Sequence, residues 1–110
     1  ESKAIAELAL ENYDGSESEH AAPLRAAALL AVDAREWKLA DELFEFAIKA
    51  KPADKAEVLL TWGIKLLIGE QKEGAVRVFQ RGVDERVLPD SNPAFSFYLA
   101  GALALAEKYD

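Results

Sequence analysis

The sequence predicts an all-α protein built from antiparallel helix pairs repeated in tandem. Three observations predict it. The chain matches itself at an offset of 35 residues: Leu24, Ala28, Ala40, Phe44 and Ala47 correspond to Leu59, Gly63, Ala75, Phe79 and Gly82. Large, small, small, aromatic and small thus recur in one order, the mark of a repeated supersecondary unit. Within each copy the apolar residues fall at the three- and four-residue spacing of a helix face. Proline, glycine and capping residues then cut the chain into helices of ordinary length.

The elements follow in order. Residues 1–13 form a helical stretch with Ala4, Ile5, Leu8 and Tyr13 on one side, and Ala6, Leu10 and Tyr13 in small–large–large order. With the acidic loop Asp14-Gly15-Ser16-Glu17-Ser18-Glu19 it makes an N-terminal segment, 1–20, read as the end of an upstream repeat. The first copy, 21–55, carries Leu24, Ala27, Ala28 and Ala31 on its first helix and Ala40, Phe44, Ala47 and Ile48 on its second. Asp33-Ala34-Arg35-Glu36 is the polar break between them, short enough for an antiparallel pair. Pro52 ends that pair, and Asp54 with Glu57 three residues on has the form of a capping box.

The second copy, 56–92, repeats the plan with Leu59, Trp62, Gly63 and Leu66, a break at Gly69-Glu70-Gln71-Lys72, then Ala75, Val76, Phe79 and Val83. Asp90-Ser91-Asn92-Pro93 sets a capping residue before a proline and starts a partial third copy, 93–110. A shift of 37 aligns its Leu99, Ala100 and Leu103 with Trp62, Gly63 and Leu66. Breaks are expected near 33–37, 51–54, 69–72 and 87–92. Ala106-Glu107-Lys108-Tyr109-Asp110 reads as a turn toward a missing helix, and methionine is absent; both suggest a piece of a longer array.

The small residues have a mechanical purpose. Glycine or alanine at a helix crossing lets the axes approach to the short end of the 8–10 Å range, while an aromatic ring fills the adjoining space. Gly63 and Gly82 inside helices would otherwise cost roughly 1 kcal/mol each relative to alanine.

This pattern resembles the tetratricopeptide repeat family. Its large, large–small and large residues on the first helix read here as Leu24, Ala27-Ala28 and Ala31, and as Leu59, Trp62-Gly63 and Leu66. Its small, aromatic and small residues on the second helix read as Ala40, Phe44 and Ala47, and as Ala75, Phe79 and Gly82. Pro52 closes the first repeat, and Trp37 and Tyr109 match the aromatic that precedes the second helix. Ala27 and Ala31 are smaller than the family's usual residues, Lys72 replaces that aromatic, and Val87 stands where proline is common. The resemblance covers residues 21–110 and implies a right-handed superhelix of five antiparallel helices.

Composition removes most function classes. The 110 residues make one domain at most. Without cysteine there are no disulfides, thiolate metal sites or cysteine nucleophile, and cytosol and periplasm fit equally well. No apolar run reaches the roughly 18 residues that span a bilayer, and no signal sequence opens the chain, so no membrane insertion is expected. The net charge is −7, with −5 in residues 1–20, which lacks the basic footprint that nucleic acid requires. The same acidity argues against the pentatricopeptide class, whose helix pairs read RNA at a similar repeat length.

His20 is the only histidine, and no phosphate loop or nucleophile elbow is present. Asp41-Glu42 and Asp84-Glu85 read as solvated helix faces. Neither catalysis nor a cofactor or metal is expected. In the resembled family the first helices of successive repeats line a concave groove. The corresponding positions are Arg25, Leu29 and Val32, then Leu60, Ile64, Leu67 and Ile68, then Phe97, Gly101, Ala104 and Leu105. That groove is apolar. The expected function is a protein–protein interaction module taking a hydrophobic or amphipathic peptide or helix. The alternative is a structural element whose groove is filled by its own chain or by another copy.

Overall fold

The computed structural model describes residues 1–109, with side chains through Glu107. It is helical, with no strand among the described residues. The helices are α1 (Ser2–Asn12), α2 (Ala21–Asp33), α3 (Trp37–Ala50), α4 (Lys55–Ile68), α5 (Lys72–Asp84) and α6 (Ala94–Tyr109). Single 3-10 turns at Ser18–His20 and Pro52–Asp54 precede α2 and α4. The chain divides into two compact units, Glu1–Val58 and Leu59–Asp110.

All four expected breaks are present: the helices are interrupted at 34–36, 51–54, 69–71 and 85–93. In the first unit α1 and α3 both pack on α2. Leu24, Ala27, Ala28 and Ala31 of α2 and Ala40, Leu43, Phe44, Ala47 and Ile48 of α3 are buried. In the second unit Leu59, Trp62 and Leu66 of α4, Ala75, Val78 and Phe79 of α5, and Phe95 and Ala102 of α6 are buried. Every member of the five pairs separated by 35 residues is inside.

The repeat extends to the backbone. After α2, Arg35 takes a left-handed φ of 58°; after α4, Glu70, 35 residues later, takes 64°. The Glu36 N–H donates to the Ala31 carbonyl (2.9 Å) and the Arg35 N–H to that of Val32 (2.9 Å). Gln71 and Glu70 donate likewise to Leu66 (2.8 Å) and Leu67 (3.1 Å). Both are Schellman caps, which satisfy the last carbonyls of a helix. Glu36 and Gln71 then open the next helix, accepting the first bonds from Ala40 and Ala75 (both 2.9 Å). The glycine of the second turn, Gly69, precedes the left-handed position by one residue. Arg86 (φ 50°) closes α5 in the same way.

Two helical glycines hold rings. A Cβ on Gly63 would overlap the Phe79 ring, and one on Gly82 would overlap Phe95. Phe79 also stacks on Tyr98 at 5.4 Å between centroids. In the first unit Gly15 combines φ 78° with an approach that would put a Cβ 2.6 Å from the Phe46 carbonyl oxygen, which fixes the loop over α3.

Four expectations need correction. The face that α1 turns inward is centred on Ala6, with Leu10 and Tyr13 half-buried, whereas Ala4, Ile5 and Leu8 are exposed. Glu57 does not fold back on Asp54: its carboxylate takes the Arg25 guanidinium at 2.8 Å, and Asp54 lies 3.4 Å from the Lys51 ammonium. The third copy is displaced by one residue. Ala100 and Leu103 are exposed, while Phe95, Tyr98, Leu99 and Ala102 are buried or half-buried. A shift of 36 from Leu59, Trp62, Gly63 and Leu66 selects those four. Finally, α6 runs unbroken through Tyr109, because Ala106-Glu107-Lys108 are strong helix formers with no breaker among them.

Candidate functional site

The residues expected to line a groove fall into both units. Arg25, Leu29 and Val32 lie on α2 in the first, and the others on α4 and α6 in the second. Arg25 and Val32 are half-buried, and Leu29 is exposed. The Arg25 guanidinium is engaged by Glu57 within its own unit. As a partly exposed pair this contributes under about 1 kcal/mol, yet it occupies the one cation of the set.

On α4, Leu60, Ile64 and Leu67 are half-buried and only Ile68 stands clear, 72% exposed. Ile64 and Leu60 are therefore partly committed to packing. Gly101, Ala104 and Leu105 of α6 are all exposed, and Phe97 is 72% exposed.

The α6 surface is the clearest apolar feature. From Ala94 to Ala106 the helix carries no charged residue. Phe95 and Ala102 point inward, and Tyr98 packs edge-to-face against the Phe97 ring at 5.6 Å. The outer arc exposes Ser96, Phe97, Ala100, Gly101, Leu103, Ala104 and Leu105. Leu103 and Ala100 belong to this arc and were missed, because the displaced register assigned them to the interior. The absence of any charge over 13 residues was the signal that could have found them.

The acid-rich loop is organised locally. The Ser16 N–H donates to Asp14 Oδ1 (2.9 Å), and these Ser16 hydrogen bonds hold the Asp14 carboxyl below its ordinary value. His20, at the end of the 3-10 turn, sets its ring against Tyr13 at 5.3 Å. Its Nδ1 is buried without a hydrogen bond, 3.5 Å from Asp14 Oδ1, and its Nε2 is 3.6 Å from Glu17 Oε2. Asp84 and Glu85 accept from Gln80 and Arg81 one turn back, as a solvated helix face does.

No group of three or more histidine, cysteine or carboxylate residues suited to a metal ion occurs among the described residues. Nor is any described helix long and apolar enough to cross a membrane. No family model matches the chain, and searches of curated proteins and of solved structures returned no match.

Proposed function

We propose that the chain is a tetratricopeptide-like interaction module, non-catalytic, which takes up an apolar or amphipathic segment on its exposed helix faces. The observation that carries this reading is the uncharged outer arc of α6, with Phe97 at its centre, on a protein otherwise rich in acid. Apolar patches of this kind on a folded chain mark interaction sites. The reading also draws support from the 35-residue repeat and its duplicated turn, which fit a plan of tandem antiparallel helix pairs.

Selection from a random peptide library, followed by calorimetry, tests it. The selected peptides are expected to carry apolar residues at helical spacing and to lose binding to the Phe97→Glu protein. Peptides bound equally well by that variant, or a library that yields none, would overturn the reading.

A further inference from the structure

We infer that the outer face of α6 is an interface between two copies of this chain, with Phe97 of each copy seated at Gly101 of the other. The inference rests on the interaction-module reading and names the partner of that face.

Gly101 is the starting point. A glycine inside a helix weakens it relative to alanine, a cost that a ring packed into the freed space can offset. Gly63 and Gly82 meet that condition within the chain, since Phe79 and Phe95 fill the volume their side chains would take. Gly101 does not: a Cβ there meets nothing within 4 Å. It is a gap of the same construction with no ring in it.

The missing ring is at hand. Phe97 lies one turn before Gly101 on the same exposed arc, and its own chain leaves it 72% exposed. Residues four apart on a helix stand about 5–6 Å apart. Two α6 helices crossing antiparallel midway between these positions bring each Phe97 over the other's Gly101. Ala100 and Ala104, also exposed and small, let the axes approach. One surface thus supplies both projection and gap, as a two-fold interface requires.

Charge opposes most copy-to-copy contacts and leaves this face free of repulsion. Each chain carries −7, so most copy-to-copy contacts set acid against acid. The other exposed apolar pair, Ile5 and Leu8 on α1, is interleaved with Glu1, Glu7 and Glu11. Between Ala94 and Ala106 nothing repels. The contact is small for a stable dimer, so association is expected in the range of about 10 µM to 1 mM.

Sedimentation velocity over that range, with circular dichroism on the same samples, tests the assignment. The wild type is expected to shift toward dimer mass as concentration rises. Gly101→Leu, which fills the gap, and Phe97→Ala, which removes the ring, should each weaken dimerisation roughly tenfold or more while folding normally. The register has its own test, because the chain has no cysteine. A mixture of Phe97→Cys and Gly101→Cys proteins should oxidise mainly to the mixed disulfide. A wild type that stays monomeric, a dimer indifferent to Gly101→Leu, or preferential formation of the two homodisulfides would overturn the inference. A monomeric wild type that still binds selected peptides through Phe97 would leave the interaction-module reading standing.

Discussion

The phenyl ring of Phe79 occupies the volume that a side chain on Gly63 would need, and Tyr98 stacks on that ring. The ring therefore cannot simply move aside for a larger residue. Gly63→Leu is expected to destabilise the protein by about 1–3 kcal/mol or more, through overpacking. A thermal melt should show a drop of several degrees for each kcal/mol, on the order of 4–8 °C in a domain of this size. An unchanged midpoint would remove Gly63 from the crossing.

The same chemistry at Gly101 should have the opposite sign. With open space around it, Gly101→Ala gains helix propensity and meets no atom of its own chain. The expected gain is up to about 1 kcal/mol, measured by denaturant unfolding of a dilute sample. A loss of stability there would mean that α6 packs differently.

Arg35, Glu70 and Arg86 hold left-handed backbone at helix ends where glycine is the favoured residue. The strain costs a side-chain-bearing residue roughly 1–2 kcal/mol, offset in part by the greater freedom of unfolded glycine. Glu70→Gly and Arg86→Gly are each expected to stabilise by about 0.5–1 kcal/mol in urea unfolding. Destabilisation by either would show that the side chain contributes more than its backbone strain costs.

Phe97→Glu and Ile64→Glu separate exposed surface from packing. Phe97 is mostly in solvent, so its replacement should change stability by no more than about 0.5 kcal/mol. Ile64 is half-buried, and a carboxylate there should cost about 1–3 kcal/mol. Parallel thermal melts decide it: equal midpoints would place both side chains in one environment.

Two titrations bracket the pH range. Hydrogen bonds from Ser16 lower the Asp14 carboxyl, so its contribution is present above the ordinary carboxylate value and is lost as acid protonates the folded state. The stability difference between wild type and Asp14→Ala should therefore shrink on going from about pH 5 to about pH 2. Lys3 is raised chiefly by its hydrogen bond to Glu36, 2.8 Å away, and by that carboxylate's charge. Its contribution is present below the ordinary lysine value and disappears as pH climbs through the raised one. Thermal melts of Lys3→Ala beside wild type should converge at strongly alkaline pH.

The interior was legible wherever size had to repeat. Leu24 and Leu59, or Phe44 and Phe79, announce themselves because burial and close helix approach constrain volume at each crossing. Polar breaks likewise mark where a helix must stop. The misreadings occurred where these constraints vanish. From Ala94 to Ala106 the helix is uncharged all round, so no charged face fixes its rotation, and an error of one residue turns it by about 100°. On α1 the inward residue is Ala6, smaller than the exposed Ile5 and Leu8, so hydrophobic bulk pointed to the wrong side. The site inherited the α6 error: Phe97, Gly101 and Leu105 were found, whereas Leu103 and Ala100 were assigned inward. Left-handed Arg35 and Glu70 were invisible, because nothing in those residue types favours that conformation.

Glu36 closes one helix with its N–H and opens the next with its own carbonyl, as does Gln71. A link this economical behaves as a gear rather than a tether. Inserting one residue between Ala34 and Glu36 would not lengthen a loop; it would advance every later position of α3 by a notch and carry Ala40 and Phe44 out of mesh. Variation in chain length is consequently disfavoured at 34–36 and 69–71, and displaced to 88–93, beyond the Arg86 cap. Grafts, tags or cleavage sites added at that slack stretch should be tolerated, while single-residue insertions at the gear points should abolish folding.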